Sequence, residues 1–439
     1  MNKARIRVLT LILALVLCTL PVFWVYSDEQ RGTSALSLDD RVSDTGAERY
    51  QSTQHDGKTL FVLTSEHDVG EDIFFDDASS DVYSRSAIAR NSAIEQSMGI
   101  SVREIVSADV VEYIRTADGS GVSPDIVYAS GGGGMSSLML YGVLQSLDAY
   151  GSELLHGAGV AVSAIRGLSV YGKLYMLTGT PIRSSVESVA VVAYNVDAMN
   201  GIGYEQGYIE SLVEDEKWTF DVMLRLIKEY DGAGLSGCSD TLYYMWKGMG
   251  ALTVEKENGD IPIVTVYDVK NIYYFEQLSG FARELGGVGR DTSALFYADT
   301  IKNVSSVLGD AVGILPIPSY NEGVEYRCAM DFGSTYFTAI PKNAADHSLS
   351  VDYLRALYDD STDTVYPIIV KKYTYTDPCM LDIILKNRYF DFLDMYGIGH
   401  IVSTAFIATA ETKDFDALLK ARAEFASEAL DIALRQTVG

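Results

Sequence analysis

Carboxylates are the most abundant charged groups in this 439-residue chain, with 60 Asp and Glu against 34 Lys and Arg and a formal net charge of −26. Two carboxylates can run glycoside hydrolysis, but such a pair is recognised by its separation in space, and in so acidic a chain most of them are solvated surface. Other catalytic patterns are missing. The five histidines, His55, His67, His156, His347 and His400, include no i, i+4 pair of the zinc-protease type. Gly234, Leu235, Ser236 and Gly237 stop short of a nucleophile elbow because Cys238 takes the fifth position. Cys18, Cys238, Cys328 and Cys379 are too far apart for a CxxC metal or redox site. Packed free thiols are expected, with a disulfide among the last three left open. No calcium loop of the EF-hand type is present. Four glycines, Gly131 to Gly134, follow an apolar strand and precede a helix. Such a loop can present backbone amides to a ligand at the positive end of a helix dipole. It lacks the Lys and Ser or Thr of a phosphate loop and the spacing of a dinucleotide fingerprint. A flexible connection is the plainer reading, and any ligand there is expected to be a neutral or anionic small molecule. These patterns predict no enzyme, no metal and no cofactor; they leave binding as the chemistry to be positioned.

The elements that must position it are those of an α/β protein. With 48% hydrophobic and 21% charged residues the chain can bury a large core, and its length favours at least two domains. The negative charge argues against nucleic acid, whose phosphates it would repel. Leu60 to Leu63 is an apolar run expected as a buried parallel strand. A helix over about Asp81 to Met98 with Gly99 as its stop, a strand from Ile100, a helix near Ala108 to Thr116 and a strand over Pro124 to Tyr128 complete a βαβαβ pattern. Its economical solution is a doubly wound sheet flanked by helices. Val170 to Met176 and Val189 to Tyr194 read as further extended runs opening a second α/β unit. Thr219 is the expected N-cap of an amphipathic helix carrying Met223, Leu224, Ile227 and Tyr230 on one face. Trp218, at that helix start, is assigned to packing. Tyr243, Tyr244, Trp246 and Met249 cluster before Gly250. Helices are expected over about Asp268 to Leu285, Cys379 to Arg388 and Asp414 to Gln436. Between them, Ala311 to Lys342 carries two extended runs closed by Pro316, Pro318 and Pro341, because proline removes a donor and forces the preceding residue toward extended geometry.

The amino terminus has the form of an export signal. Lys3, Arg5 and Arg7 precede the uncharged apolar run Val8 to Tyr26. The run is near the ~20 residues that span a bilayer, so a retained membrane anchor stands beside cleavage after Ser27. Cys18 follows Leu17 rather than a small residue, so lipidation there is the lesser expectation. Residues 28–58, rich in Ser, Asp, Gln and Thr, read as a flexible tether.

Four stretches taken in order, DVYSRSAIARNSAIEQSMGI (residues 81–100), PDIVYAS with the YGVLQSLD segment (124–148), KWTFDVMLRLIKEY (217–230) and VGILPIPSYNEG with TAIPKNA, resemble the extracellular solute-binding proteins of bacterial ABC importers, family 1, carbohydrate type. TVYPIIV (364–370) and MLDIILKNRYFD (380–391) resemble a clostridial-like subgroup. The resemblance implies a type II periplasmic-binding-protein-like fold: two lobes, each a mixed mostly parallel sheet flanked by helices, with the ligand in the cleft between them and hinge closure on capture. By resemblance, lobe one comprises residues 59–183 plus 317–350 and lobe two residues 184–316 plus 351–439. Strand-like crossings are then placed near Thr180 to Glu187 and at Ala311 to Lys342. The implied function is capture of a small solute, a carbohydrate in this group, and its delivery to a membrane permease by a monomer at the extracellular face of the membrane. A surface sensor or interaction module on the same fold, or an exported glycoside hydrolase, are the alternatives.

A sugar site needs aromatic faces for the ring and carboxylates or amides for the hydroxyls. On the loops expected at the carboxyl ends of the strands, the candidates are Glu66, Asp68, Tyr128, Ser130, Arg183, Tyr244 and Trp246, with Asp331 and Tyr336 near the return crossing.

Overall fold

The computed structural model describes residues 53–438 apart from 67–71, 76–80, 118–121, 151–153, 155–158, 206, 258–260, 286–287, 310–311, 374–377 and 409–413. The expected export signal, Cys18, most of the tether and the candidate Asp68 lie outside the described residues. Among the described residues no helix is long and apolar enough to cross a membrane. The strands, in chain order, begin with β1 (Thr59–Ser65), β2 (Ser101–Ser107), β3 (Ile126–Ser130), β4 (Ala190–Tyr194), β5 (Leu235–Gly237), β6 (Val254–Glu257) and β7 (Ile261–Val264). They continue with β8 (Phe296–Thr300), β9 (Gly313–Leu315), β10 (Cys328–Ala329), β11 (Tyr336–Ala339) and β12 (Arg388–Tyr389).

The first sheet has the order β2-β1-β3-β11. β1 pairs in parallel with β2 and β3, and β11 closes the edge antiparallel to β3. Leu60, Val62 and Leu63 are fully buried, as a strand covered on both faces requires. The connecting helix Val82–Met98 starts where Asp81 accepts the Ser84 N–H at 3.0 Å and stops at Gly99, whose φ of 68° is the left-handed cap that glycine adopts without a Cβ penalty. Asp109 caps Val110–Thr116 in the same way, accepting from Val111 and Glu112.

The second sheet runs β5-β8-β4-β9 and is mixed: β5 and β8 are parallel, while β4 is antiparallel to both β8 and β9. Every residue of its central strand β4 is buried. The helix Phe220–Glu229 has Thr219 as N-cap accepting from Val222, and the fully buried Trp218 before it lies 5.6 Å from Phe296 of β8 between ring centres, its Nε1–H donating to Pro316 O at 2.9 Å.

Two passages join the sheets, and they are hydrogen-bonded to each other. Leu177 and Thr338 exchange backbone bonds of 2.8 and 2.9 Å, and Asp331 N–H donates to Ser188 O at 2.9 Å. The return passage has the extended segments expected from its prolines. The outward passage is less extended than its sequence suggests. Val170 to Met176 is not a strand: Val170 and Lys173 bridge across a tight turn at Tyr171 and Gly172, both with positive φ. Thr180 to Glu187 likewise holds a turn closed by Ile182 N–H to Gly179 O and the short helix Ser184–Glu187, so this crossing is helical at its centre.

Beyond β11 the helix His347–Asp363 returns to the first sheet and packs on Val82–Met98, with Arg90 donating to Ser361 Oγ at 3.1 Å and His55 paired with Asp352 at 2.8 Å. A lobe boundary at residue 350 therefore falls inside this helix. Cys238, Cys328 and Cys379 are free thiols.

Candidate functional site

A cavity of about 410 Å3 opens where the carboxyl end of β3, the return passage and the helix Thr241–Gly248 meet. Its walls come from four places: Gly131, Gly132, Ser136 and Ser137 after β3, Met330 to Gly333 of the return passage, the helix Thr241–Gly248 with the preceding Asp240, and the segment from Asp394 to Ser403. Its size falls in the range usual for small-molecule sites, ~300–1,000 Å3.

The helix Thr241–Gly248 is the main wall. Asp240, Tyr243, Tyr244 and Lys247 recur at i, i+3, i+4 and i+7, which puts them on one helical face, and all four line the cavity. The helix is anchored by Thr241 Oγ1, which donates to Ala298 O at 2.7 Å, and by Trp246, whose Nε1–H donates to Asn271 O at 3.0 Å. Trp246 is fully buried among Tyr243 and Phe406. It was expected at the ligand; it is instead the packing anchor that holds the lining face in place.

Lys247 is only 1% exposed and must be paired to stay charged there. Its Nζ lies 2.9 Å from Asp394 Oδ2 and 3.3 Å from Asp391 Oδ2, and 3.9 Å from the centre of the Tyr243 ring. Asp391 is held in turn by Thr253 Oγ1 at 2.6 Å and Leu393 N–H at 2.9 Å, and it caps the helix Phe392–Met395. Burial is the main influence on the Lys247 ammonium and opposes its charge, but Asp391 and Asp394 outweigh it and raise its pKa. Burial also dominates at Asp394. Together with repulsion from Asp391 and Asp331 it overrides the attraction of Lys247 and pushes the carboxyl up to about 7. Burial likewise raises Asp240, with the charge of Asp331 adding to it. The Tyr243 hydroxyl, on a residue 5% exposed, has no hydrogen-bond partner.

The glycine loop lies at the cavity edge, but its amides are already used. Gly131 N–H donates to Thr335 O at 3.0 Å, Gly132 N–H to Gly333 O at 2.9 Å and Gly133 N–H to Ser130 Oγ at 2.9 Å. The lesser reading, amides free for a ligand, does not hold for these three: the first two dock the loop on the return passage and the third closes a turn on Ser130. That docking is what demands glycine, since a Cβ on Gly131 would stand 2.2 Å from Phe332 O. Gly131→Ala is expected to cost about 1–3 kcal/mol as an overpacked contact against backbone. Gly280→Ala, in open helical surroundings, is expected to be neutral or stabilising. Urea unfolding of the two variants checks this; equal stability would show that the loop can shift freely.

Of the nine residues expected at the ligand, the structure brings Tyr244 and Asp331 to the cavity wall. Tyr128 and Arg183 belong to a different cluster centred on Asp72, which accepts from Tyr128 OH at 2.5 Å, Tyr83 OH at 2.8 Å and Arg183 Nε at 2.9 Å. Tyr336 stacks on Tyr128 with ring centres 5.0 Å apart, and Ser130 caps the glycine turn. These four line no part of the cavity; Arg183 ties Asp72 to the outward passage and Tyr128 ties it to β3. Glu66 is exposed on the loop after β1. The residues that sequence reasoning missed are Asp240, Tyr243, Lys247, Asp394, His400 and the serines near them. The helical spacing from Asp240 to Lys247 was a usable signal for the first three. Nothing local marks Asp394, which meets Lys247 across 147 positions of sequence.

No family model and no curated protein sequence matches the chain. Solved structures do match in shape. A maltose-bound MalE3 of T. maritima superposes with a TM-score of 0.53 at 11% identity, covering 84% of this chain and 99% of that one. The ABC substrate-binding protein Lmo0181 from Listeria monocytogenes, in complex with cycloalternan, gives 0.52 at 13% identity over 86% and 100%. UgpB from Mycobacterium tuberculosis, in complex with glycerophosphocholine, gives 0.54 at 14% identity over 79% and 95%. At these identities it is the fold that is shared, and the fold of this chain is that of the two-lobed periplasmic binding proteins.

Proposed function

We propose that the chain is the extracellular substrate-binding component of an ABC importer, capturing a small carbohydrate-type solute and presenting it to a membrane permease without altering it. The observation that carries the reading is the cavity itself. It is walled by both lobes and by one of the passages joining them, so that capture and lobe closure are mechanically linked. Its lining combines aromatic faces at Tyr243, Tyr244 and Phe332 with carboxylates and serine hydroxyls, the mixture that sugar rings require. The neighbours in complex with maltose and with cycloalternan support the same class, while the one in complex with glycerophosphocholine supports only a small polar solute. Export through the amino-terminal segment, whether cleaved, lipidated or retained, belongs to this proposal, as does the division of the chain into lobes at the two passages.

Trp246 gives the test a reporter, because it sits on the helix whose other face lines the cavity. Titration with a panel of mono- and oligosaccharides is expected to shift tryptophan emission and raise the melting midpoint for at least one of them. A panel that moves neither, with small-angle scattering unchanged, would sink the proposal.

A further inference from the structure

We infer that the cleft is built for a solute carrying a protonated amine, with an amino sugar the form that uses all of its groups; the inference rests on the carbohydrate reading and sharpens it. Three carboxylates, Asp240, Asp331 and Asp394, line the cavity. The cation among them, Lys247, is already shared between Asp394 and the buried Asp391. Asp240 and Asp331 have no ion-pair partner among the described residues. Asp331 Oδ2 accepts from Ser334 Oγ at 2.7 Å and Asp240 Oδ2 from Ser239 Oγ at 3.2 Å, neither of which supplies charge. The charge of Asp331 is felt at both Asp240 and Asp394, so the three act as one field of negative charge. His400 lines the cavity as well, and its Nδ1 lies 2.6 Å from Gly397 O.

A neutral sugar could satisfy these oxygens with hydroxyl donors. Closing the lobes over it would still strip water from Asp240 and Asp331, which have no ion-pair partner among the described residues and feel the charge of Asp331 and of Asp394, respectively, with Lys247 already engaged elsewhere. An ammonium group offsets that cost, and its attraction grows as the cleft dries. The second observation is the Tyr243 hydroxyl, whose buried oxygen has no partner on a wall of the same cavity. It is an acceptor waiting for a donor, and an N–H of an ammonium or a sugar hydroxyl fills that role. A metal ion is a poorer occupant. Among the described residues no group of three or more His, Cys, Asp and Glu is set close enough to hold one. The serine hydroxyls of Ser136, Ser137 and Ser403 favour a hydroxylated ligand over a bare polyamine.

The experiment is calorimetric titration of the full-length chain at low salt and pH 7.5 with four probes: the β-1,4 disaccharide of glucosamine, its fully N-acetylated form, cellobiose and spermidine. The free-amine disaccharide is expected to bind at least tenfold more tightly than either neutral disaccharide. In Asp331→Asn and, separately, Asp240→Asn, that ratio is expected to fall below about threefold, which a merely destabilised fold would not produce. If the neutral disaccharides bind as tightly as the amine, the charge inference is overturned and the carbohydrate proposal stands. If spermidine alone binds, both the amino-sugar form and the carbohydrate proposal are overturned. Failure of all four probes overturns the inference, and the wider saccharide panel then decides the proposal beneath it.

Discussion

Replacing Lys247 by methionine is expected to lower the unfolding free energy by about 3–5 kcal/mol, the cost typical of removing one partner from a buried ion pair. The magnitude follows from what would be left behind. Asp391 is fully buried and keeps only Thr253 and the Leu393 amide as partners, while Asp394, at 15% side-chain exposure, loses its 2.9 Å contact. Methionine matches the aliphatic stem of lysine but brings no charge, so packing changes little and the electrostatic deficit dominates. Pairing it with Asp391→Asn is expected to restore a large part of the loss, since the buried charge is then removed along with its partner. Urea denaturation of the single and double variants measures both. A loss under about 1 kcal/mol for Lys247→Met would mean that water reaches these groups and that the triad is not the keel of this wall.

Stability is also expected to fall as pH rises through the range from about 4 to 7, against the trend for ordinary paired carboxylates. Asp394 is pushed up to about 7 in the folded chain, chiefly by burial and then by its acidic neighbours, whereas an unfolded aspartate titrates near 3.9. Between those values the folded state binds the extra proton, so raising the pH favours the unfolded chain. The slope is on the order of 1.4 kcal/mol per pH unit, about 4 kcal/mol over the window, and levels off above it. Asp394→Asn removes this group, so the difference between wild type and variant across pH 5, 6, 7 and 8 isolates its share from that of Asp240, which shifts in the same direction. Parallel curves for the two proteins would show that Asp394 is charged throughout, held by Lys247 rather than governed by burial.

Both effects arise at a place that no single stretch of sequence announces. The loop candidates chosen for their position after strands were placed at the right end of the first sheet, yet Tyr128 and Arg183 turned inward to Asp72, because a buried carboxylate without partners would be far more costly than an unoccupied ligand wall. Trp246 was drawn to the ligand by its type. Its neighbours Tyr243, Tyr244 and Lys247, at i+3, i+4 and i+7 from Asp240, were the lining residues, and the helical period of the polar groups was better evidence than the size of the indole.

What the sequence determined by itself is the local and periodic part of this protein: the βαβαβ order of the first sheet, the helix stop at Gly99 and the cap at Thr219, the packing role of Trp218 and the extended return passage ended by prolines. These depend on residues a few positions apart, where backbone sterics and side-chain period act directly. The tertiary structure alone decided which carboxylates face one another. Lys247 with Asp391 and Asp394, and Asp331 within reach of Asp240, are pairings across large sequence separations, and their energies come from burial and proximity that exist only after the lobes and passages have packed.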